Sequence, residues 1–175
     1  RQTLQQGPAD RNLDRLRNAA ITLLSDPKIK WAFDVTGADD ATQDRYGRNS
    51  FGWSLLMARR LIEAGVNLVQ VNLGNRETWD THGSNFIKLR DFLFPPTDRA
   101  LSALLDDLQE SGLLDETLII WGGEIGRLPI AQLSSNKDAR KAGRDHNKNA
   151  LCMWMAGGGV KRGYVHGATD ELGFA

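Results

Sequence analysis

The chain has 175 residues, which is enough for one domain with a sizeable core and too few for two. Hydrophobic residues make up 41% and charged residues 25% of it, which excludes a disordered composition. Lys plus Arg and Asp plus Glu each number 22, so the net charge gives no reason to expect binding to nucleic acid or to an anionic membrane surface.

The cysteine content and the chain ends limit the setting of the protein. A single cysteine, Cys152, excludes an internal disulfide and a cysteine-based metal site. No apolar run approaches the roughly 20 residues of a membrane-spanning helix, and no signal peptide is present. The chain starts at Arg1 without a methionine and stops just after a glycine, so both ends look cut. We expect a piece of a longer protein, whose address signal could lie in the missing part.

The first residues predict a linker followed by a helix. Residues 1–9 are polar and predict a linker or frayed end ahead of a single domain over residues 10–175. Leucines at helical spacing then predict a helix that begins near Asp10 and stops at Pro27.

A tight helix-to-strand joint follows. Asn49 or Ser50 opens an apolar-periodic helix, and Gly65 closes it. Residues 66–73 come at once, and their short length and β-branched content predict a strand. The tight joint favours an αβ unit over a hairpin.

Two further strands are predicted downstream. A weak helix over residues 84–94 is broken at Pro95, and Thr97 caps a helix with a leucine stripe. Residues 117–121 predict the second strand, and the fully apolar residues 150–156 predict a third, suited to burial on both faces of a sheet.

The helix with the leucine stripe also carries an acidic run, formed by Asp106, Asp107 and Glu110. Charged residues at helical spacing usually face water. We therefore predict that this run is a solvated helix face and not a metal site.

The order of elements predicts the fold class. It runs helix, helix and strand, loop, helix and strand, loop, strand, which indicates an α/β fold in three α/β/α layers with a mainly parallel sheet. Sites in such folds form outside the carboxyl ends of strands. Residues 122–149 lack a periodic apolar pattern, and connections of that length are usually functional or disordered.

Acidic residues and histidines follow or precede these strands. Asp80 and His82 are two residues apart after the first strand, so in an extended segment they point to the same side. Glu124 follows the second strand, and Asp145 and His146 precede the third. Carboxylates and imidazoles suit Zn²⁺, Mn²⁺ and similar ions. We predict that these five residues form a divalent metal site, which could activate water or polarise a phosphoryl or sulfuryl oxygen.

Two arginines near these residues suit an anionic substrate. Arg127 and Arg144 offer forked donors to tetrahedral oxyanions. Local explanations remain open, because Glu124 could pair with Arg127, and Arg144 with Asp145. The joint site is favoured because two of the three histidines lie beside carboxylates in predicted loops.

Several short segments occur in one order along nearly the whole chain. They are Tyr-Gly-Arg at 46–48, residues 58–66, Trp-Asp-Thr-His at 79–82, Gly-Glu-Ile-Gly-Arg at 123–127, Gly-Arg-Asp-His at 143–146, and residues 156–161 and 167–171. In these segments the chain resembles the bacterial family called domain of unknown function 1501, placed in the alkaline phosphatase-like superfamily. The resemblance covers the carboxyl-terminal part of the family domain.

The resemblance implies a metal-dependent hydrolase of phosphate or sulfate esters, similar to alkaline phosphatases and sulfatases. Asp80 and His82 look like one metal-binding pair, Glu124 stands in the place of an Asp-His pair, and His146 looks like the last histidine. The implied cofactor is zinc, with manganese, calcium or magnesium as alternatives. The implied substrate is a small anionic ester or a sulfated or phosphorylated glycan, and the implied location is the periplasm or cell envelope.

The resemblance also places the catalytic nucleophile in an amino-terminal part that this chain lacks. We therefore expect no full hydrolase activity from the isolated 175 residues. The first pair is two residues apart where the superfamily has four, and one glutamate replaces two ligands. These departures support the alternative of a non-catalytic domain that binds an anionic glycan or a protein partner.

Overall fold

Helices dominate the first two thirds of the described chain. The computed structural model describes residues 8–133, 135 and 138–174. Helix α1 spans Pro8–Ser25, α2 Pro27–Phe33, α3 Asp40–Tyr46, α4 Ser50–Glu63, α5 Asn85–Lys88 and α6 Phe94–Glu110. A π-helical turn at Leu89–Leu93 joins α5 to α6, and short 3₁₀ turns lie at Leu113–Asp115 and Ala139–Lys141.

The strands are short. Strand β1 spans Ile119–Gly122, β2 Gly126–Arg127, β3 His146–Asn147 and β4 Met153–Ala156. Strand β1 pairs with β4, and β2 pairs with β3, both antiparallel. The prediction of a three-layer α/β/α fold with a mainly parallel sheet is therefore wrong.

The connection between the paired strands explains this error. The described residues between β1 and β4 form no α-helix, and a parallel pair needs a long crossover connection, which is usually helical. Without that crossover the chain turns back, and β4 runs antiparallel beside β1. The predicted helices and strands alternate only as far as the second strand. No helix was predicted between the second and third strands, so the alternation gave no support for a parallel third strand.

The predicted strand over residues 66–73 is the second error. The segment has no ladder partner among the described residues. Half-buried Val71 and Leu73 pack against the core, whereas Leu68 is 86% exposed. The alternating apolar residues of this segment therefore mark the side that packs on the core. They do not mark a paired strand within the described structure.

The third predicted strand is present, but its burial is not as predicted. Strand β4 forms within the apolar run, yet Met153, Trp154 and Met155 are 50%, 40% and 47% exposed. Exposed Ile120 lies opposite Met155 in the ladder. The two-stranded sheet therefore leaves apolar side chains open to solvent within the described structure.

The core forms where α3, α4 and α6 meet. Its fully enclosed side chains include Tyr46, Leu56 and Leu108. The small residues Ala100 and Ala103 are buried on α6 and allow α4 to approach closely. Leu73 and Ile119, from segments outside these helices, pack against this core.

Helix α6 begins earlier than predicted. Pro95 lies in its first turn, where a missing backbone N–H costs little. The Phe94 N–H donates to the Leu89 carbonyl, five residues back, so the chain passes the proline through a widened turn. The prediction that Thr97 caps a separate helix is wrong, because Thr97 is buried inside α6.

The start of the described chain is a long exposed helix. Helix α1 begins at Pro8, within the predicted linker over residues 1–9, and residues 1–7 of that linker lie outside the described residues. The helix ends before Pro27, as its leucine spacing predicts. No helix in the described ranges is long and apolar enough to cross a membrane.

The Asn49 N-cap of α4 gives a testable prediction of helix stability. Asn49 has extended backbone, and its side-chain oxygen accepts from the N–H groups of Phe51 and Gly52. Because such a cap satisfies donors that the helix cannot, we expect Asn49→Ala to lower the free energy of unfolding by about 1 kcal/mol. Urea denaturation measures this change. Asn67→Ala, at an exposed position, is the control, and an equal effect from both variants would contradict the capping role.

Candidate metal centre

Trp79 anchors the loop that carries Asp80 and His82. Its Nε1 donates a hydrogen bond to the Leu73 carbonyl at 2.5 Å. Its ring packs against three aromatic rings whose centroids lie 6.0 to 6.4 Å away, those of Phe51, Phe94 and Trp121. The loop is thereby fixed to the helical core and to β1.

Thr81 sets the direction of its two neighbours. It is 2% exposed, and its hydroxyl hydrogen-bonds the side chain of buried Asn85. Asp80 and His82 on either side are 32% and 40% exposed. With Thr81 turned inward, the two flanking side chains reach the same polar site, as their spacing predicts.

A second loop closes against the first at Gly143. Gly83 and Ala142 form an isolated antiparallel bridge, and the Arg144 N–H donates to the Thr81 carbonyl. A Cβ atom at Gly143 would lie 2.1 Å from the backbone of His82, so only glycine permits this approach. The contact brings residues 142–146 to the Asp80 loop.

The β2 and β3 pair adds the remaining groups. In its register Arg127 lies opposite His146. Both side chains reach Asp80 Oδ1, Arg127 Nη1 at 2.7 Å and His146 Nε2 at 2.9 Å. The small antiparallel ladder therefore positions a guanidinium and an imidazole on one carboxylate.

The central cluster consists of Asp80, His82 and His146. Each offers one ligand atom, and these atoms lie within 4.8 Å of one another. Asp80 Oδ1 is 3.1 Å from His82 Nε2 and 2.9 Å from His146 Nε2. The two imidazole rings stack with centroids 5.1 Å apart and an interplanar angle of 16°.

His82 has an acceptor beside each ring nitrogen. Gln132 Oε1 lies 2.9 Å from Nδ1, and Asp80 Oδ1 lies 3.1 Å from Nε2. A neutral imidazole carries one N–H and can donate to only one of them. When Nδ1 donates to Gln132, Nε2 presents a lone pair toward Asp80, which is the tautomer that a metal ligand needs.

Glu124 and Asp145 lie outside the central cluster, next to its histidines. Glu124 Oε1 is 3.7 Å from His146 Nδ1, and Asp145 Oδ1 is 3.7 Å from His82 Nδ1. Asp145 Oδ1 also accepts from the backbone N–H of His146 at 2.7 Å. Both carboxylates face the outer nitrogen of an imidazole, where they can orient the ring.

The two arginines occupy different environments. Arg127 bonds Asp80 Oδ1 and, through Nη2, the Trp79 carbonyl at 3.3 Å. Arg144 donates to the Leu128 carbonyl, and its guanidinium carbon lies 5.5 Å from the centroid of the Phe86 ring. Arg127 thus contacts the central cluster, whereas Arg144 bonds the backbone at Leu128.

The charge state of Asp80 follows from these contacts. The hydrogen bond from Arg127, and then that from His146, hold the pKa of the Asp80 carboxyl below its ordinary value. A group with a lowered folded-state pKa adds stability above its unfolded pKa and loses it as pH falls through the folded value. Asp80 therefore stays ionised throughout the neutral range.

The donor set fits a divalent ion. A tetrahedral zinc site with bonds of about 2.0 to 2.2 Å has ligand atoms roughly 3.3 to 3.6 Å apart. The separations from Asp80 Oδ1 to His82 and His146 are a few tenths of an ångström shorter. Because all three side chains are about one third exposed, a coordination position would stay open to solvent or substrate.

One family model, described as "Protein of unknown function (DUF1501)", matches residues 1–175. The chain belongs to the DUF1501 family. This confirms the family resemblance found in the sequence. Neither the curated proteins nor the solved structures contain a match to the chain. The family description assigns no activity to its members.

Sequence reasoning missed two residues of the DUF1501 site. Gln132 contacts His82 from a loop without periodic pattern, and no sequence signal indicates that contact. The sequence did contain a signal for Trp79, because a large aromatic residue inside a polar loop is expected to pack against other apolar groups. It supplies the anchor on which the position of Asp80 depends.

Proposed function

We propose that Asp80, His82 and His146 hold one divalent metal ion, and that the site serves hydrolysis of phosphate or sulfate esters. The observation that carries the metal site is the convergence of three ligand atoms from two separate loops within 4.8 Å. The ester class is supported by the resemblance of the motifs to the alkaline phosphatase-like superfamily.

Zinc suits this donor set best. Two imidazole nitrogens and one carboxylate oxygen match the ligand types of open zinc sites. Calcium and magnesium prefer oxygen ligands throughout, so they fit less well than zinc or manganese. Gln132 supports the choice because it fixes the outer nitrogen of His82.

The surroundings of the cluster suit an anionic ester. A bound divalent ion would supply an activated water or polarise an ester oxygen. Arg127 adds a half-buried guanidinium whose donors match a tetrahedral oxyanion. Glu124 is 65% exposed and lies 3.7 Å from the outer nitrogen of His146. The proposal assigns the nucleophile to no residue of this chain.

A second candidate is a non-catalytic domain that binds an anionic glycan or a protein partner. One observation favours it. Arg127 and both histidines already surround Asp80 Oδ1, so the cluster is electrostatically complete without a metal ion. Metal content decides between the two candidates.

Zinc titration by calorimetry, with elemental analysis after dialysis, tests the metal site. We expect one zinc ion per chain in the wild type and a loss of affinity of roughly a hundredfold or more in His146→Ala, since even second-shell changes cost about 10- to 100-fold. His166→Ala is the matched control, because this exposed histidine lies beside Tyr164 and not in the cluster. A wild type without stoichiometric metal would favour the non-catalytic domain.

Turnover tests the ester class once a metal is found. Aryl phosphates and aryl sulfates are offered to the zinc-loaded full-length protein, with His146→Ala as the inactive reference. Metal-dependent release of the phenol from either class supports the hydrolase. Stoichiometric zinc without turnover of either substrate would leave the metal site standing and remove the ester proposal.

A further inference from the structure

Asp80 Oδ1 is contacted by one guanidinium and two imidazoles. Arg127 Nη1, His146 Nε2 and His82 Nε2 lie 2.7, 2.9 and 3.1 Å from it. A carboxylate oxygen has about two lone-pair directions, and Arg127 and His146 fill both when His82 Nε2 presents its lone pair. Histidines that ligate a metal ion through Nε2 no longer donate to Asp80, so Arg127 remains as the positive charge that competes with the metal ion for this oxygen.

Arg127 cannot lose this contact without finding another anion. Its side chain is 22% exposed, and it also donates to the Trp79 carbonyl at 3.3 Å. A half-buried guanidinium without a carboxylate is unfavourable. Its position opposite His146 in the β2 and β3 ladder keeps it at the edge of the cluster after displacement.

We propose that Arg127 is a metal-responsive anion clamp, bonded to Asp80 while the site is metal-free and turned to a tetrahedral oxyanion when Asp80 ligates a metal. This rests on the proposed metal site and goes beyond it, because it makes anion binding conditional on the metal. Arg127 then opposes metal binding in the absence of the anion. The same residue favours the anion once the metal is present.

The direction in which Arg127→Gln changes zinc affinity tests the proposed clamp. Arg127→Gln removes the competing charge-assisted hydrogen bond, so zinc affinity should rise about tenfold in the absence of phosphate. Had Arg127 instead oriented Asp80 as a ligand, the same substitution would weaken zinc binding by about 10- to 100-fold. Calorimetric titration of zinc into both proteins gives the direction, and unchanged or weaker binding in the variant overturns the proposal.

The anion arm uses inorganic phosphate and sulfate, titrated separately into zinc-loaded protein. We expect Arg127→Gln to bind the preferred anion about tenfold more weakly than the wild type, because one charge-assisted contact is lost. Arg127→Lys keeps the charge and should fall between the two. Equal anion affinity in wild type and Arg127→Gln overturns the clamp even where zinc binding tightens.

The control is Arg90→Gln. Arg90 is 76% exposed and pairs with its neighbour Asp91, so the same chemical change occurs away from the cluster. It should leave zinc and anion affinities unchanged. Zinc-free wild type would contradict the proposed metal site, whereas zinc-binding wild type with an unresponsive Arg127→Gln would contradict only the clamp.

Discussion

Asp80→Asn is expected to lower zinc affinity by roughly a hundredfold or more, while Asp145→Asn lowers it by about tenfold or less. The reason is position. Asp80 Oδ1 lies 2.9 to 3.1 Å from both imidazole Nε2 atoms, whereas Asp145 faces only the outer nitrogen of His82 at 3.7 Å. Loss of a hydrogen-bonded outer-shell partner costs about 10- to 100-fold, so a carboxylate beyond hydrogen-bond distance should cost no more than the lower figure, and loss of a charged ligand costs more.

Comparing Asp80→Asn with Asp145→Asn distinguishes a metal ligand from a carboxylate outside the ligand set. The sequence placed Asp80 and Asp145 in one set of five ligands, and the structure gives them different distances from the imidazoles. Calorimetric zinc titrations of both variants, with circular dichroism to compare their folds, provide the measurement. Equal losses in the two variants would restore the larger ligand set. No loss in Asp80→Asn would remove the metal site.

Asp107→Asn is expected to lower the free energy of unfolding by about 3 kcal/mol, as breaking a buried ion pair does. The Asp107 side chain is only 9% exposed and accepts from Tyr46 at 2.7 Å, from Arg45 at 2.5 Å and from Arg59. Removing its charge leaves two guanidinium groups near each other without their shared anion. Burial, and then the hydrogen bond to Asp107, raise the pKa of Tyr46, which stays a donor in this network.

The neighbouring residue provides the control for this prediction. Asp106 is 67% exposed and contacts Arg45 at 3.6 Å, so Asp106→Asn should cost less than about 0.5 kcal/mol. Guanidinium unfolding with fitted m-values compares the variants. Equal destabilisation by the two substitutions would show that the Asp107 network adds no more than a surface pair.

Asp107 also shows why sequence reasoning failed for the acidic run. Helical spacing correctly indicated that Asp106 and Glu110 face water. It could not show that α3 and α4 bring Tyr46 and Arg59 against one member of that run. Which charge on a helix is buried depends on the elements that pack on it, and periodicity holds no information about those elements.

The fold class failed for a related reason. Helix boundaries near Pro27, Asn49 and Gly65 follow from local physics, since capping and φ preferences act within a few residues. Strand partners depend on contacts between distant residues. Residues 66–73 read as a strand, yet no other described strand pairs with them.

The candidate site also has features that follow from local sequence and features that depend on tertiary contacts. The sequence alone predicted that Asp80 and His82 lie on the same side, because alternate residues of extended backbone share a side. The buried position of Thr81 between them agrees with this prediction. Only the tertiary structure decided that His146 joins them while Glu124 and Asp145 stand outside, because Gly143 and the β2 and β3 ladder fix how closely the loops approach. Metal-ligand geometry is set to tenths of an ångström, and loops far apart in the chain reach that precision only through packing.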